Sequence, residues 1–412
     1  VRVPPGLTPP ATTFVKENAV SVTQAPPKGE LVRRASHLIP LLREKALWMD
    51  ENRCMHEDAV DALAEAGFLK MRVPVRYGGF GSDMRTIIDV ISEIGRGDGS
   101  TSWTLAMWAT SAWTVGLFPD AVQDEVFSTP DVRICGILSP GAIVVPTNGG
   151  YIVNGKWSFN TGARQSMWNT NAAVVPTADG GHEPVMILTP ISDLEIIDDW
   201  YTSGLRGSGS VTTIAKDVFI PAERVLPMGP VLAGQHLSKL NADTAIFKAP
   251  FMPTACTTVS AVALGLAKAA KDAFFERLPG RRITYTSYDS QSEAPVTHLE
   301  VAEATTKIDE TGFHAYRAAD MIDNKAESDE PWTLEERARV RLDLGAACQR
   351  AKEAVEILDS ASGGSSIYRD VPIQRIERDI KTLNLHAILH PATNLELYGR
   401  IICGLEPNTP YL

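Results

Sequence analysis

Apolar positions recur at helical spacing from about residue 30 to 130. Leu38, Leu41, Leu42 and Ala46 form one series, Val60, Leu63, Ala64 and Phe68 a second, and Ile87, Ile88, Val90 and Ile91 a third. The stretch 72–83 interrupts them with Pro74 and a glycine cluster, which makes it a loop. Between about 131 and 226 the pattern shortens to strands at 133–138, 151–159, 172–176, 184–188, 194–200 and 211–220. Asn148-Gly149-Gly150 and Asn154-Gly155 offer hairpin turns between them, because Asn and Gly tolerate positive φ. Long helical patterns return at 256–278, 297–325, 334–360 and 372–403, the third opened by the capping box that starts at Thr333. Four long helices in succession predict an antiparallel bundle.

The fold class read from this order is α+β, mainly α. It comprises a leader over 1–30, an N-terminal helical domain over 31–130, a central β-barrel or sandwich domain over 131–230 and a C-terminal four-helix bundle over 231–412. The 412 residues allow several such units, and 44 % apolar against 22 % charged residues is a globular profile. A formal charge of −11, with no basic run beyond pairs such as Arg281-Arg282, excludes a phosphate backbone as partner. Five scattered cysteines, an odd number, give neither a disulfide framework nor a metal knuckle, which predicts a reducing cytoplasm. The apolar run 103–118 is too short to span a bilayer, and the leader shows no secretory pattern, so no membrane partner is expected.

Common catalytic motifs are absent: there is no HExxH, no phosphate loop and no GxSxG elbow. His386 and His390 share a helical face at i,i+4, but no third ligand sits at metal spacing, and no metal is expected. The loop 204–210 (GLRGSGS) leads into a strand rather than a helix, against a nicotinamide fingerprint. It reads as a plain turn or as a backbone that approaches a ligand. Trp157, Phe159 and Thr161 alternate along one strand, which puts them on one face, either as core or as a wall for a flat ring. Trp103, Trp108 and Trp113 spread around a helix and read as core. Arg375, Arg378 and Asp379 read as a solvated helix face or as charges paired across a subunit boundary.

Taken together, the stretches 66–79, 149–162, 204–225, 281–285 and 362–381 resemble the acyl-CoA dehydrogenase superfamily, over about 33–405. The resemblance implies a flavin between the β domain and the bundle. Its ring would lie near Leu138, Ser139, Trp157, Phe159, Thr161 and Gly162. Arg282, Tyr285, Gly363, Gly364 and Ser365 would hold its phosphate and adenosine end across a subunit boundary in a homotetramer. Acyl-CoA dehydrogenases of the common type carry a Glu shortly after the Arg-Asp of the last stretch. Here Arg378-Asp379 is followed by His386 and Ala387 instead. That departure is similar to the two-component flavin monooxygenase branch, which receives reduced flavin from a separate reductase and reacts it with O2 to give a C4a-hydroperoxide. The resemblance then makes Thr161 and His386 catalytic hydrogen-bonding partners of the flavin, with FAD expected and FMN used within the branch.

Phenol hydroxylases of that branch commonly carry a His in the helix that here spans 99–118, and this helix has none. An amine nucleophile needs no such base. The stretches 281–305 and 386–412 also look like the amino-sugar nitrososynthases. The expected reaction is therefore N-oxygenation of a nucleotide-linked amino sugar in natural-product biosynthesis. Alternatives are hydroxylation of an indole or phenol, and a dehydrogenase-like or inactive flavin-binding relative. Substrate contacts, placed somewhere in 99–116 and 240–256, are not ordered by the sequence.

Overall fold

The computed structural model describes residues 25–328 and 330–412. Of the expected leader, 1–24 lie outside the described residues, and 28–30 already belong to the first helix. That helix, α1 (Lys28–Asn52), is followed by α2 (Glu57–Glu65), α3 (Met84–Gly97), α4 (Gly99–Val115) and α5 (Asp120–Phe127). Asp98 joins α3 to α4 and caps the latter, its carboxylate accepting the Thr101 N–H at 2.7 Å. α4 is buried all round except at Met107 and Thr110, as its lack of a polar face dictates.

The strands are β1 (Ile134–Ile137), β2 (Ala142–Thr147), β3 (Gly150–Asn160), β4 (Trp168–Pro176), β5 (His182–Pro190), β6 (Glu195–Ile197), β7 (Val211–Pro221) and β8 (Val225–Pro227). They form one sheet in the order β6-β7-β3-β2-β4-β5-β8, with β1 added parallel to β4. The Asn148-Gly149 turn joins β2 to β3, with Gly149 at φ +77°. Asn154-Gly155 is not a turn. It sits inside β3 at a register shift, where the Asn154 side chain exchanges hydrogen bonds with Asp217 on β7. Val144, Val153, Trp157, Ala173, Ile187 and Ala215 are part of a separate core inside the sheet.

The remainder is helical: α6 (Met228–Leu232), α7 (Ala245–Lys248), α8 (Phe251–Arg277), α9 (Pro295–Ser328), α10 (Leu334–Ala361), α11 (Pro372–Asn384) and α12 (Pro391–Ile402). α8 is long and apolar enough to cross a membrane, but 94 % of its apolar window is buried inside the protein. It is the central helix, packed against α3, α4, α9, α10 and α11. The expected helix over 372–403 is broken at 385–390. Pro391 has no N–H to donate and restricts the residue before it, so α12 starts afresh there. His386 and His390 consequently lie in the break rather than on one helical face. Among the described residues no cluster of three metal-ligating side chains occurs.

Candidate active site

β3 pairs in register with β7 from Gly155 to Trp157, after the shift at Asn154, and then shifts register again before Asn160, with Phe159 forced to φ +68°. This bulge breaks the two-residue alternation that would have put Trp157, Phe159 and Thr161 on one face. Trp157 turns into the sheet core, and its Nε1–H donates to the Ala172 carbonyl at 2.8 Å. Phe159 points the other way, is 62 % exposed and meets Trp200 edge-on at 5.8 Å. Thr161 is buried against α4, where the Trp103 Nε1–H donates to its hydroxyl at 3.0 Å. Trp108 likewise donates to Ser166 at 3.0 Å, so two tryptophans of α4 hold the segment after β3. Gly162 packs so closely that a Cβ there would lie 2.8 Å from Thr104 and from Trp108.

A cavity of about 370 Å³ opens beside this segment. α4 contributes Met107, Thr110, Ser111 and Thr114, and α8 contributes Phe251, Ala255, Cys256 and Val259. Leu138, Ser139 and Phe159 line it from the β domain, and Leu385, His386 and Ile388 from the helix break. Met107 and Thr110 are thus the two α4 positions left unburied because they face this space. The Thr110 and Thr114 hydroxyls donate back to helix carbonyls at 2.8 and 2.9 Å. Burial pushes the Cys256 thiol up to about 11, so it stays protonated.

His386 is the one strongly perturbed base on this wall. Burial lowers its pKa to about 4, so the imidazole is neutral at pH 7. Its Nδ1 accepts the Ile388 N–H at 3.3 Å, which leaves the proton on Nε2 as a donor. Its ring meets Trp103 edge-on at 5.4 Å.

The other expected residues form a second cavity, of about 570 Å³, lined by Arg281, Arg282, Gly363, Gly364 and Ser365 together with Thr297 and Glu300. Gly363 holds φ +64° there. Arg277 donates to Ser365 at 3.0 Å, and its Nη1 is buried without a partner. None of Arg277, Arg281 and Arg282 forms an ion pair among the described residues, which leaves three cations for an anionic ligand. Tyr285 is fully exposed at φ +62° and does not line this cavity within the chain. The two cavities share no residue. Val259 beside the first and Arg277 beside the second are 18 positions apart on α8, about 27 Å at 1.5 Å per residue.

Arg375, Arg378 and Asp379 are not a solvated face. Arg375 and Asp379 are buried, and Arg378 bonds Asp50 at 3.2 Å and the Ser203 carbonyl at 2.5 Å. The Asp379 carboxylate accepts the Leu205 N–H at 2.6 Å and so fixes the glycine-rich loop. Burial, with Asp98 nearby, pushes Asp379 up to about 7. Ser111 falls within the 99–116 stretch expected to supply substrate contacts, whereas Trp103, which meets His386 and Thr161, reads from the sequence as core, and Arg281 carries no assignment there. Of the last two, only Arg281 carried a signal, its adjacency to Arg282.

Residues 38–125 match the acyl-CoA dehydrogenase N-terminal domain and 257–391 its C-terminal domain. A pigment production hydroxylase of a Rhodococcus species is 30 % identical over 93 % of this chain and 99 % of its own. The oxygenase component of an FADH(2)-dependent resorcinol hydroxylase of a Rhizobium species is 26 % identical over 96 % and 99 %. Indole-3-acetate monooxygenase of Acinetobacter baumannii is 26 % identical over 90 % and 94 %. The structure of XiaF from a Streptomyces species, in complex with FADH2 and glycerol, superposes with a TM-score of 0.87 at 28 % identity, covering 93 % of this chain and 98 % of that one. None of these relatives is a nitrososynthase.

Proposed function

Because this chain belongs to the acyl-CoA dehydrogenase-like oxygenase components of two-component flavin monooxygenases, which use reduced flavin from a separate reductase, we propose that it hydroxylates a neutral, electron-rich aromatic of the indole type. The observation that carries this reading is the character of the first cavity. Among the described residues it is walled by apolar side chains, hydroxyls and the Cys256 thiol, with no carboxylate, no cation, and one imidazole held neutral. An indole-type ring buries its faces in such a wall and presents a single N–H to the hydroxyls. Ser111, buried at the wall, and Ser139 offer hydroxyls for it that no side-chain hydrogen bond among the described residues already takes up.

The expected amino-sugar substrate draws no support from the relatives, and the cavity argues against it. A nucleotide diphosphate would lose its water against a wall that returns no positive charge. A phenol is served less well than an indole, since an imidazole with a pKa of about 4 is a poor acceptor of a phenolic proton.

The residues present fit a flavin. A planar apolar ring with polar edges suits the wall of Leu138, Ser139 and Phe159, with Thr161 at the end of the same segment. When bound, the reduced flavin supplies the two electrons with which O2 delivers one oxygen atom to the substrate and the other to water. Met107, Phe251, Val259 and Ile388 keep bulk water from the ring, and His386 holds its Nε2 proton as a donor toward the cavity. Arg281 and Arg282 beside Gly363, with Arg277 bound to the neighbouring Ser365, suit the phosphates of FAD. About 27 Å along α8 separates them from the ring site of the same chain. A second copy would therefore complete each site, in line with the homotetramer the resemblance implies.

The test is turnover with a flavin reductase, O2 carrying heavy oxygen, and three substrates side by side: indole, a simple phenol and a nucleotide-linked amino sugar. Heavy oxygen is expected in the indole product. N-oxygenation of the sugar alone, or labelling of the phenol alone, overturns the reading.

A further inference from the structure

We propose that Ser208 and Ser210 fix the polarity of the Thr161 hydroxyl, so that it presents a lone pair rather than a proton and favours reduced over oxidised flavin. This rests on the reading above, which sets the flavin ring against Thr161.

The direction of each hydrogen bond follows from the groups at the two ends. The Leu205 carbonyl can only accept, and it takes the Ser208 hydroxyl at 2.7 Å and the Trp200 Nε1–H at 3.0 Å. Ser208 has thereby spent its one proton, so across its 2.8 Å contact with Ser210 it must accept. Ser210 has then spent its own proton, and across the 2.7 Å contact with Thr161 it accepts in turn. Thr161 therefore gives its proton to Ser210. At its other side Thr161 meets the Trp103 Nε1–H, which can only donate. A hydroxyl has one proton and two lone pairs, so what Thr161 retains is a single lone pair.

The start of this chain is firmly held. Leu205 sits at φ +49°, its N–H bound by the Asp379 carboxylate at 2.6 Å and its carbonyl by Trp200 and Ser208. Ser208 and Ser210 are buried, so no water competes for their protons.

The edge nitrogen of the central flavin ring carries a hydrogen in the reduced form and a lone pair in the oxidised form. A fixed acceptor at Thr161 pairs with the first and opposes the second. Ser208 and Ser210 are thus positioning residues. They select the redox state of the ligand without touching it, which suits a protein that takes up reduced flavin from a partner and must let the oxidised form go.

The experiment is anaerobic titration of the full-length protein with reduced FAD and, separately, with oxidised FAD, without turnover. Ser210→Ala frees the Thr161 proton. Ser208→Ala frees the Ser210 proton to turn toward Thr161, which again releases the Thr161 proton from its bond to Ser210. Both variants are expected to shift the ratio of oxidised to reduced affinity toward the oxidised form by about tenfold, the worth of one hydrogen bond. Thr161→Val is expected to weaken reduced FAD, and adding Ser210→Ala to it should change the ratio no further. If Thr161→Val alters the ratio while neither serine variant does, the relay is overturned and the flavin placement stands. If Thr161→Val alters neither affinity, the flavin lies elsewhere and the reading beneath the proposal falls. Far-ultraviolet circular dichroism of each variant separates loss of the fold from loss of binding, and Ser210→Thr, which keeps the hydroxyl, should restore the wild-type ratio.

Discussion

The two cavities hold opposite kinds of chemistry. The one between α4, α8 and the helix break is apolar, with its only strongly shifted base kept neutral. The one at the far end of α8 is lined by Arg281, Arg282 and Glu300 around a glycine turn, with Arg277 bound to its lining residue Ser365, and none of these arginines forms an ion pair among the described residues. The first can hold a ring and exclude water but has nothing for a phosphate. The second can hold phosphates but offers no dry wall. A reactive flavin needs both, and the contrast teaches that a dry wall and a cationic cradle are set at separate places along one helix.

The comparison breaks most severely if His386 is not a donor. His386→Ala removes the one N–H donor on the dry wall and is expected to raise hydrogen peroxide released per product by about 10²-fold, with reduced-FAD affinity at the arginine end little changed. Unchanged coupling would make the residue structural. Next in size, Arg281→Ala with Arg282→Ala should weaken reduced FAD by about tenfold or more, the worth of charge-assisted hydrogen bonds. Riboflavin, which has no phosphate, should bind as before. An equal loss for both ligands would show that the arginines act on the fold. Trp157→Phe should lower stability by about 1 kcal/mol, through the lost bond to Ala172, and leave flavin affinity alone, as measured by denaturant unfolding and titration. A shift in flavin affinity would return Trp157 to the ring wall.

The smallest expected effect is in pH. His386 has a folded pKa of about 4 against an ordinary value of 6.5. It stays neutral from pH 8 down to about 5, so coupling should show no imidazole-like step between pH 8 and 6. As pH falls below 6.5 the unfolded chain takes up this proton first. The contribution to stability is therefore present above 6.5 and is lost progressively down to about 4. A step in coupling near pH 6.5 would mean that the imidazole is solvated during turnover.

Much of this was legible in the sequence, and the misses have physical causes. The helical, β and helical order follows from a change of hydrophobic period, which burial imposes over long stretches and no single residue can hide. Strands β2 and β8 escaped notice, one carrying Pro146 and the other only three residues long. The face shared by Trp157 and Phe159 was lost to a bulge, because alternation assumes a regular strand and Phe159 at φ +68° is not regular. Trp103 looked like core because α4 is apolar on every side, and such a helix does not announce which face meets a ligand. The loop of Ser208 and Ser210 reads as a turn or as backbone near a ligand, and its side chains go unread because the Ser210 bond runs to a threonine about fifty residues away. Thr161 and His386 were named from the resemblance, and their surroundings are now on view: a committed proton at one and a neutral ring at the other.

α8 carries a further consequence. One unbroken helix lines the dry cavity near one end and reaches the arginine cluster at the other, and so acts as a ruler. Adding or deleting a single residue between Val259 and Arg277 would change the span by about 1.5 Å and swing one end through about 100° relative to the other. Side chains at Ala255, Cys256 or Val259, or the break around His386, can therefore be redrawn to reshape the dry cavity with the two ends still in place, whereas a change in the length of this helix cannot.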